Sequence, residues 1–369
     1  MKKAVLSAAF LKKSMLTVGV AATLFLSIWC IAYNLKPVFE KYGARFLLCT
    51  AGASVRQGVE INEHPMLTAP KPTPMSDSGI EPDAVLEPET KVHPVVSATP
   101  DPNRETGSVE VLWMSAGERV DCFSVKDETG TGLDLEKELL IDPDIPVKRD
   151  GSPVVLLYST HTTESFVLEN GADWYYLDDD FRSLDPDEGI VSVAAEAAKI
   201  IEAGGFGVVH DTTIHDYPAY SGSYARSMET VRKNLEKYPT VGITVDVHRD
   251  AFGESGTTRY KPVAEIDGKQ AAQIMILTGC DLSDEPIFPN WRKNLHLALR
   301  LQQKGETLFP GLFRPLYFCK RNYNMHATTG SLLVEVGTDV NTLEEARYAG
   351  KLLGETILRV LEDLAEKTE

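Results

Sequence analysis

Along the second half of this chain, apolar and polar positions repeat in a strand–helix rhythm. PVVLLY (153–158) is a continuous apolar run, as expected of a strand buried on both faces. In GIVSVAAEAAKIIEAGG, Ile190, Val193, Ala194, Ala197, Ile200 and Ile201 fall on one helical stripe, and Gly204 and Gly205 end it. FGVVH (206–210) reads as the next strand, and Tyr224, Met228, Val231 and Leu235 mark a helix that stops before Pro239. VGITVDV (241–247), AAQIMILTG (271–279) and SLLVEVG (331–337) are further strands, with a helix around Trp291, Leu295, Ala298 and Leu299 between the last two. A final helix opens with Asn341 as cap and Glu344 three residues on, the spacing of a capping box. This alternation predicts an α/β fold with a mostly parallel sheet and helices on both faces.

The first hundred residues follow other rules. Lys2, Lys3, Lys12 and Lys13 precede a charge-free run of 22 residues, Ser14–Leu35, and Lys36 closes it. At about 1.5 Å per residue this is roughly 33 Å of helix, which matches a hydrocarbon core of about 30 Å. A cleaved signal peptide is the rival reading, but CIAYNLKPVFEKY offers no small-x-small cleavage site. The pattern predicts an uncleaved anchor, with residues 1–13 cytoplasmic and the chain from 36 onward outside the cell membrane. Nine of the 21 prolines fall between Pro65 and Pro102, so residues 36–106 read as a juxtamembrane segment and extended linker. Residues 107–150 read as a small N-terminal extension and 151–366 as the catalytic domain. A chain starting near Ser108 is expected to stay folded and active.

Composition narrows the classes. The net charge of −17 is spread along the chain, which argues against nucleic acid as a partner. The five cysteines (Cys30, Cys49, Cys122, Cys280 and Cys319) show neither metal-ligand spacing nor a dense disulfide framework, and they read as small buried apolar residues.

Candidate chemistry gathers where ligands of open α/β sheets collect, beyond the carboxyl ends of the strands. PVVLLY leads to His161 and, three residues later, Glu164; ITVDV delivers His248, followed by Arg249 and Asp250. SLLVEVG carries Glu335, a carboxylate that would cost roughly several kcal/mol in such an apolar strand without a partner or a function. Two histidines and a carboxylate form a catalytic zinc set with a water in the remaining position. Zinc brings the pKa of such a water from about 15.7 toward about 7, and Glu335 is then free to take the proton. His161, Glu164 and His248 are therefore the expected zinc (Zn2+) ligands, and Arg249, His215 and His326 the candidate substrate contacts. His210 shares its loop with His215, His296 sits on an amphipathic helix, and His64 and His93 lie in the linker. No G-x-S-x-G elbow is present.

Taken together, YSTHTTESF (158–166), HDTTIHDYPAYSGSYARSMETV (210–231), VDVHRDA (245–251), FPGLFRP (309–315) and SLLVEVGTDVNTLEEA (331–346) resemble the stage II sporulation protein P family over about residues 151–362. The resemblance implies a phosphorylase/hydrolase-like fold similar to that of the zinc-dependent N-acetylmuramoyl-L-alanine amidases. It implies cleavage of the muramoyl–L-alanine amide of peptidoglycan, peptide cleavage on crosslinked stems, and work beside sporulation proteins D and M during engulfment. Carried onto this chain, the zinc histidines fall on His161 and His248 and the catalytic glutamate on Glu335. The third ligand stays open. The amidase pattern points to Glu188 or Asp187 in LDPDEGIVSV, whereas the H-x-x-E of zinc carboxypeptidases points to Glu164, the choice made here. A zinc endopeptidase of stem peptides and a non-catalytic wall-tethering scaffold are the competing functions.

Overall fold

Alternate residues of one strand, β4 (Pro153–Tyr158), feed two different cores: Val155 and Leu157 join the main core, Leu156 and Tyr158 a smaller one. That division follows from the period of two along a strand and marks β4 as a strand covered on both faces. The computed structural model describes residues 99–168, 173–252 and 256–366. The expected anchor and all but the end of the linker lie outside these residues. Among the described residues no helix is long and apolar enough to cross a membrane.

The main sheet has eight strands in the order β2-β3-β11-β10-β12-β7-β4-β6. They are β2 (Glu118–Val120), β3 (Phe123–Asp127), β4, β6 (Gly207–His210), β7 (Ile243–Asp250), β10 (Ile274–Gly279), β11 (Leu316–Cys319) and β12 (Gly330–Thr338). β6, β4, β7 and β12 run parallel. β10 is antiparallel to β12, and β11 and β3 follow the direction of β10. The sheet is therefore two parallel blocks that meet antiparallel between β12 and β10, with β2 added antiparallel to β3 at one edge. Most pairings are parallel, as the strand–helix rhythm suggested. The reversal at β10 was not foreseen, because the direction of a strand leaves no mark in its own apolar pattern. A second sheet, also unforeseen, has the order β5-β1-β8-β9, from β1 (Thr106–Leu112), β5 (Trp174–Tyr176), β8 (Thr258–Ile266) and β9 (Lys269–Ala272).

Helices α2 (Ile190–Ala203), α4 (Trp291–Leu308) and α5 (Leu343–Glu366) bury their apolar stripes in the main core, whereas α3 (Ser223–Lys237) lays Met228 and Val231 on Leu156 and Tyr158. Short α1 (Leu135–Leu139) joins the main core as well. α2 and α5 approach closely because Gly350 and Gly354 have no side chain: a Cβ there would stand 2.5 Å from the Val193 carbonyl oxygen and 2.7 Å from that of Ala197. The capping box of α5 sits one residue later than expected. Glu345 N donates to Thr342 Oγ1 at 3.2 Å, and Thr342 N to Glu345 Oε2 at 3.0 Å. Asn341 instead accepts from Thr338 N at 2.8 Å and holds the β12–α5 turn. Glu345 also meets Lys261 of β8 at 2.7 Å, a buried pair that ties the second sheet to the head of α5. Cys280 and Cys319 are buried free thiols, as their isolated positions suggested, whereas the free thiol of Cys122 is only half-buried.

Residues 107–150 are woven into both sheets, since β1 belongs to the second sheet and β2 and β3 to the first. A start at Ser108 would cut β1, because Thr106 and Gly107 pair with Tyr176 and Tyr175. Order extends further upstream: Asp101 N donates to Tyr176 Oη at 2.9 Å, and Arg104 pairs with Asp178 at 2.6 Å. A chain beginning at Thr99 is expected to melt cooperatively in circular dichroism. One beginning at Gly117 lacks β1 and Val109 and should lose about 2–4 kcal/mol, roughly 5–10 °C in Tm. Equal melting of the two would show that the second sheet stands without β1.

Candidate active site

Neighbours in register across parallel strands point to the same face of a sheet. In β7 and β12, His248 stands opposite Glu335, and in β7 and β4, Asp246 stands opposite Tyr158. Asp246 and His248 are two residues apart and share that face. Beyond β4 the chain turns at once: Thr162 Oγ1 donates to the Ser159 carbonyl at 2.9 Å, and Glu164 N to the His161 carbonyl at 3.1 Å. The turn folds Glu164 back toward the strand ends. Bridges of Glu164 with Arg182 and of Ser165 with Gly189 pin it there.

The structure brings four expected residues together. His161 and His248 meet edge to face, with ring centroids 5.3 Å apart. His248 Nδ1 lies 3.4 Å from Glu164 Oε2, and its Nε2 lies 2.9 Å from Asp246 Oδ1, off the line of a hydrogen bond. Asp246 is wholly buried and is held by Thr160, whose N and Oγ1 donate to it at 2.7 and 2.6 Å. Glu335 is partly open to solvent, yet its Oε2 is buried without a hydrogen bond. Tyr220 stacks on His161 with centroids 4.4 Å apart, and Tyr224 stacks on His248 at 6.4 Å.

Electrostatics differ sharply from group to group. Burial pushes the Glu335 carboxyl up to about 8, helped by Asp250 and Glu164 and opposed by His248 and Arg314. Burial also works against ionisation of Glu164, but contact with His248 and the charges of His248, Arg249 and His161 outweigh it and hold the carboxyl down at about 2. Burial disfavours a charged His248 as well, but Asp246 and Glu164 on either side outweigh it and raise the imidazole above its usual value. His161 is lowered, chiefly by burial. Two carboxyls of one site thus stand in opposite states near neutrality.

The proposed substrate contacts fare differently. Arg249 is buried and donates Nε to the Ser165 carbonyl and Nη2 to that of Phe181, each at 2.8 Å; it fastens the Glu164 loop and offers nothing to a substrate. His215 is buried too, with Nδ1 2.8 Å from the Ser159 carbonyl oxygen and Nε2 2.9 Å from Thr230 Oγ1, so it braces the turn after β4. His326 is exposed and contacts Asn322 Oδ1 at 2.9 Å. Glu188 accepts from Ser183 Oγ at 2.7 Å, and no contact joins it to either histidine, whereas Glu164 faces His248 directly. Asp187 gives its carbonyl to Arg347 at 2.7 Å. Sequence reasoning passed over Asp246, although an acid inside an apolar strand two residues before His248 carries the same signal as Glu335. Tyr220 and Tyr224 left no comparable mark.

Among the described residues no three His, Cys, Asp or Glu side chains stand in the geometry of a metal site. The donor chemistry nevertheless fits a divalent cation. Two imidazoles and an ionised carboxylate adjoin, with His248 Nδ1 facing Glu164 Oε2 at 3.4 Å, while the buried Glu335 Oε2 beside them has no hydrogen bond.

The model of a family described as stage II sporulation protein P (SpoIIP) matches residues 103–358. No curated protein matches the chain. Among solved structures it is similar to the N-acetylmuramoyl-L-alanine amidase AmiC2 of Nostoc punctiforme, at 12% identity over 59% of this chain and 99% of that one, with a TM-score of 0.35. It is also similar to the CwlD amidase from Clostridioides difficile, solved in complex with the GerS lipoprotein, at 11% identity over 58% and 99% of the two chains and a TM-score of 0.36. A metallo-carboxypeptidase from Burkholderia cenocepacia matches at 9% identity over 57% of each chain, with a TM-score of 0.32.

The raised carboxyl of Glu335 has a measurable consequence for the metal-free protein. A group whose folded pKa is raised from 4.5 to about 8 contributes stability that is complete below the lower value and is lost as pH rises through the upper one. Glu335→Gln, a neutral isostere, removes that loss. After chelation, parent and variant should unfold alike near pH 4, and the variant should be more stable near pH 8.5 by on the order of 4 to 5 kcal/mol. Equal denaturation midpoints at both pH values would contradict the assigned environment.

Proposed function

This chain belongs to the stage II sporulation protein P family, and from that premise we propose that it is a peptidoglycan hydrolase of sporulation that cuts the amide between muramic acid and L-alanine. The observation that carries the reading is the meeting of His161, Glu164, His248 and Glu335 at the ends of β4, β7 and β12. In this reading His161, His248 and Glu164 hold a zinc ion. Bound zinc supplies a water acidified toward a pKa of about 7 and a positive charge beside the scissile carbonyl. Asp246, fixed by Thr160, sets the orientation of the His248 ring from its far side. Glu335, held neutral near neutrality in the metal-free protein, is favoured in its ionised form beside the charge of a bound cation. The carboxylate then receives the proton of the attacking water and delivers it to the leaving nitrogen of L-alanine. An oxygen buried without a hydrogen bond suits this task, because no partner must be displaced before the proton arrives. The charge-free span 14–35 supports a single-pass anchor with the catalytic domain outside the membrane. Sporulation proteins D and M are the proposed partners.

The roles separate in variants. His161→Ala and His248→Ala should lose both zinc, read by plasma mass spectrometry, and release of stem peptides from peptidoglycan. Glu335→Gln should keep zinc and lose turnover by roughly 100-fold or more. Glu164→Ala should lower zinc occupancy where Glu188→Ala does not. Should Glu335→Gln emerge without zinc, or work nearly as well as the parent, the division between holding and catalysing is wrong. Stem peptides released with a free L-alanine amino terminus identify the amide that is cut.

A further inference from the structure

Three guanidinium groups stand near the cluster, and two are already committed. Arg249 is buried on the Ser165 and Phe181 carbonyls. Arg314 is only 1% exposed, gives Nη1 to Asp250 Oδ2 at 3.1 Å, and has its remaining nitrogens sealed from solvent. Arg182 differs. Its side chain is 32% exposed, and only Nη1 is engaged, with Asp216 Oδ2 at 2.9 Å and Thr163 Oγ1 at 3.4 Å. Nε and Nη2 make no hydrogen bond among the described residues.

Its placement is fixed from several sides. The Arg182 backbone pairs with that of Glu164 across an antiparallel bridge. Asp216, which is buried and accepts from Thr163 Oγ1 at 2.8 Å, holds one edge of the guanidinium. The guanidinium carbon lies 5.3 Å from the centre of the Tyr220 ring, and that ring stacks on His161. A partly exposed fork with two unengaged nitrogens thus stands beside two candidate metal ligands, on a chain whose net charge of −17 repels anions elsewhere. A planar fork of this kind matches a carboxylate.

We propose that Arg182 receives a carboxylate of the stem peptide, that of the residue following L-alanine, and so selects stems in which this group is free over stems in which it is amidated. The assignment rests on the reading of the site as a peptidoglycan amidase, and binding separates it from catalysis. Two ligands are compared by calorimetry with the full chain in detergent: N-acetylmuramoyl-L-alanyl-D-isoglutamate and its isoglutamine counterpart. Each has the γ-carboxyl closed as a methylamide, as the next stem residue would close it, so that they differ only in the α-carboxylate. With Glu335→Gln slowing turnover, the carboxylate form should bind about 10-fold more tightly, the scale of a charge-assisted hydrogen-bond pair. Adding Arg182→Gln should erase the difference, and Arg182→Lys should keep part of it. Because Arg182 also pairs with Asp216, the two ligands are compared within each variant, so a general loss of fold does not mimic the result. Equal affinities in the Arg182 protein, or a preference that survives Arg182→Gln, would overturn the proposal. So would binding of N-acetylmuramic acid as tight as that of the carboxylate dipeptide, which would place the anion site on the lactyl side of the bond. Cleavage of the dipeptide by the parent is scored separately: absent cleavage with the preference intact faults the reaction and leaves the subsite standing.

Discussion

The parallel register between β7 and β12 is the constraint on which the rest depends. It sets Glu335 opposite His248 and Leu333 opposite Asp246 on one face, and it turns Val245, Val247, Val334 and Val336 into the main core on the other. Because the period along a strand is two, a slip of one residue would expose those valines and bury the charged groups among the helices. The core thus enforces the placement of the chemistry. The apolar face of each strand selects the register, and the register delivers an acid and an imidazole side by side.

The remaining groups arrive on a loop, where precision has to come from hydrogen bonds. Residues 159–167 are clipped by the rigid parts around them: Thr163 to Asp216, Ser165 to Arg249, and Val167 to Thr342 by a backbone bridge. Thr342 is itself the cap of α5, so the helix start, the second sheet bound through Lys261, and the Glu164 turn form one connected frame. Arg249 and His215 belong to that frame. Polar residues that look free in a sequence can be consumed by the backbone carbonyls of a neighbouring loop, and here both are. Glu164 and Glu335 titrate in opposite directions because burial decides the state of Glu335, whereas contact with His248 and the charges of His248, Arg249 and His161 outweigh burial at Glu164.

Much of this was legible in the amino-acid order. The runs at 153–158, 274–279 and 330–338 have few readings other than strands, and the stripe from Ile190 to Ile201 few other than a helix. Glu335 declared itself as a charge inside an apolar strand, and His161 and His248 as polar groups at strand ends. The reversed direction of β10 was not legible, because its Ile-Met-Ile-Leu run suits either direction. β8 was missed because Lys261 and Pro262 interrupt its apolar pattern, and the pairing of Lys261 with Glu345 that permits this is a contact across 84 positions. The same holds for Arg249 and His215, whose partners are backbone atoms that no side-chain pattern announces. Arg182 was overlooked for the opposite reason: it lies in a polar loop, where an arginine is unremarkable until its neighbours are known.

The central claim is that His161, His248 and Glu164 share one metal while Glu335 stands beside it without binding. X-ray absorption at the zinc edge of the metal-loaded protein reads this most directly. The account predicts a nitrogen and oxygen environment containing two imidazoles. One imidazole should be lost in either histidine variant that retains residual metal, and the spectrum should be unchanged in Glu335→Gln. A sulfur shell, a single imidazole in the parent, or a changed spectrum in Glu335→Gln would contradict it.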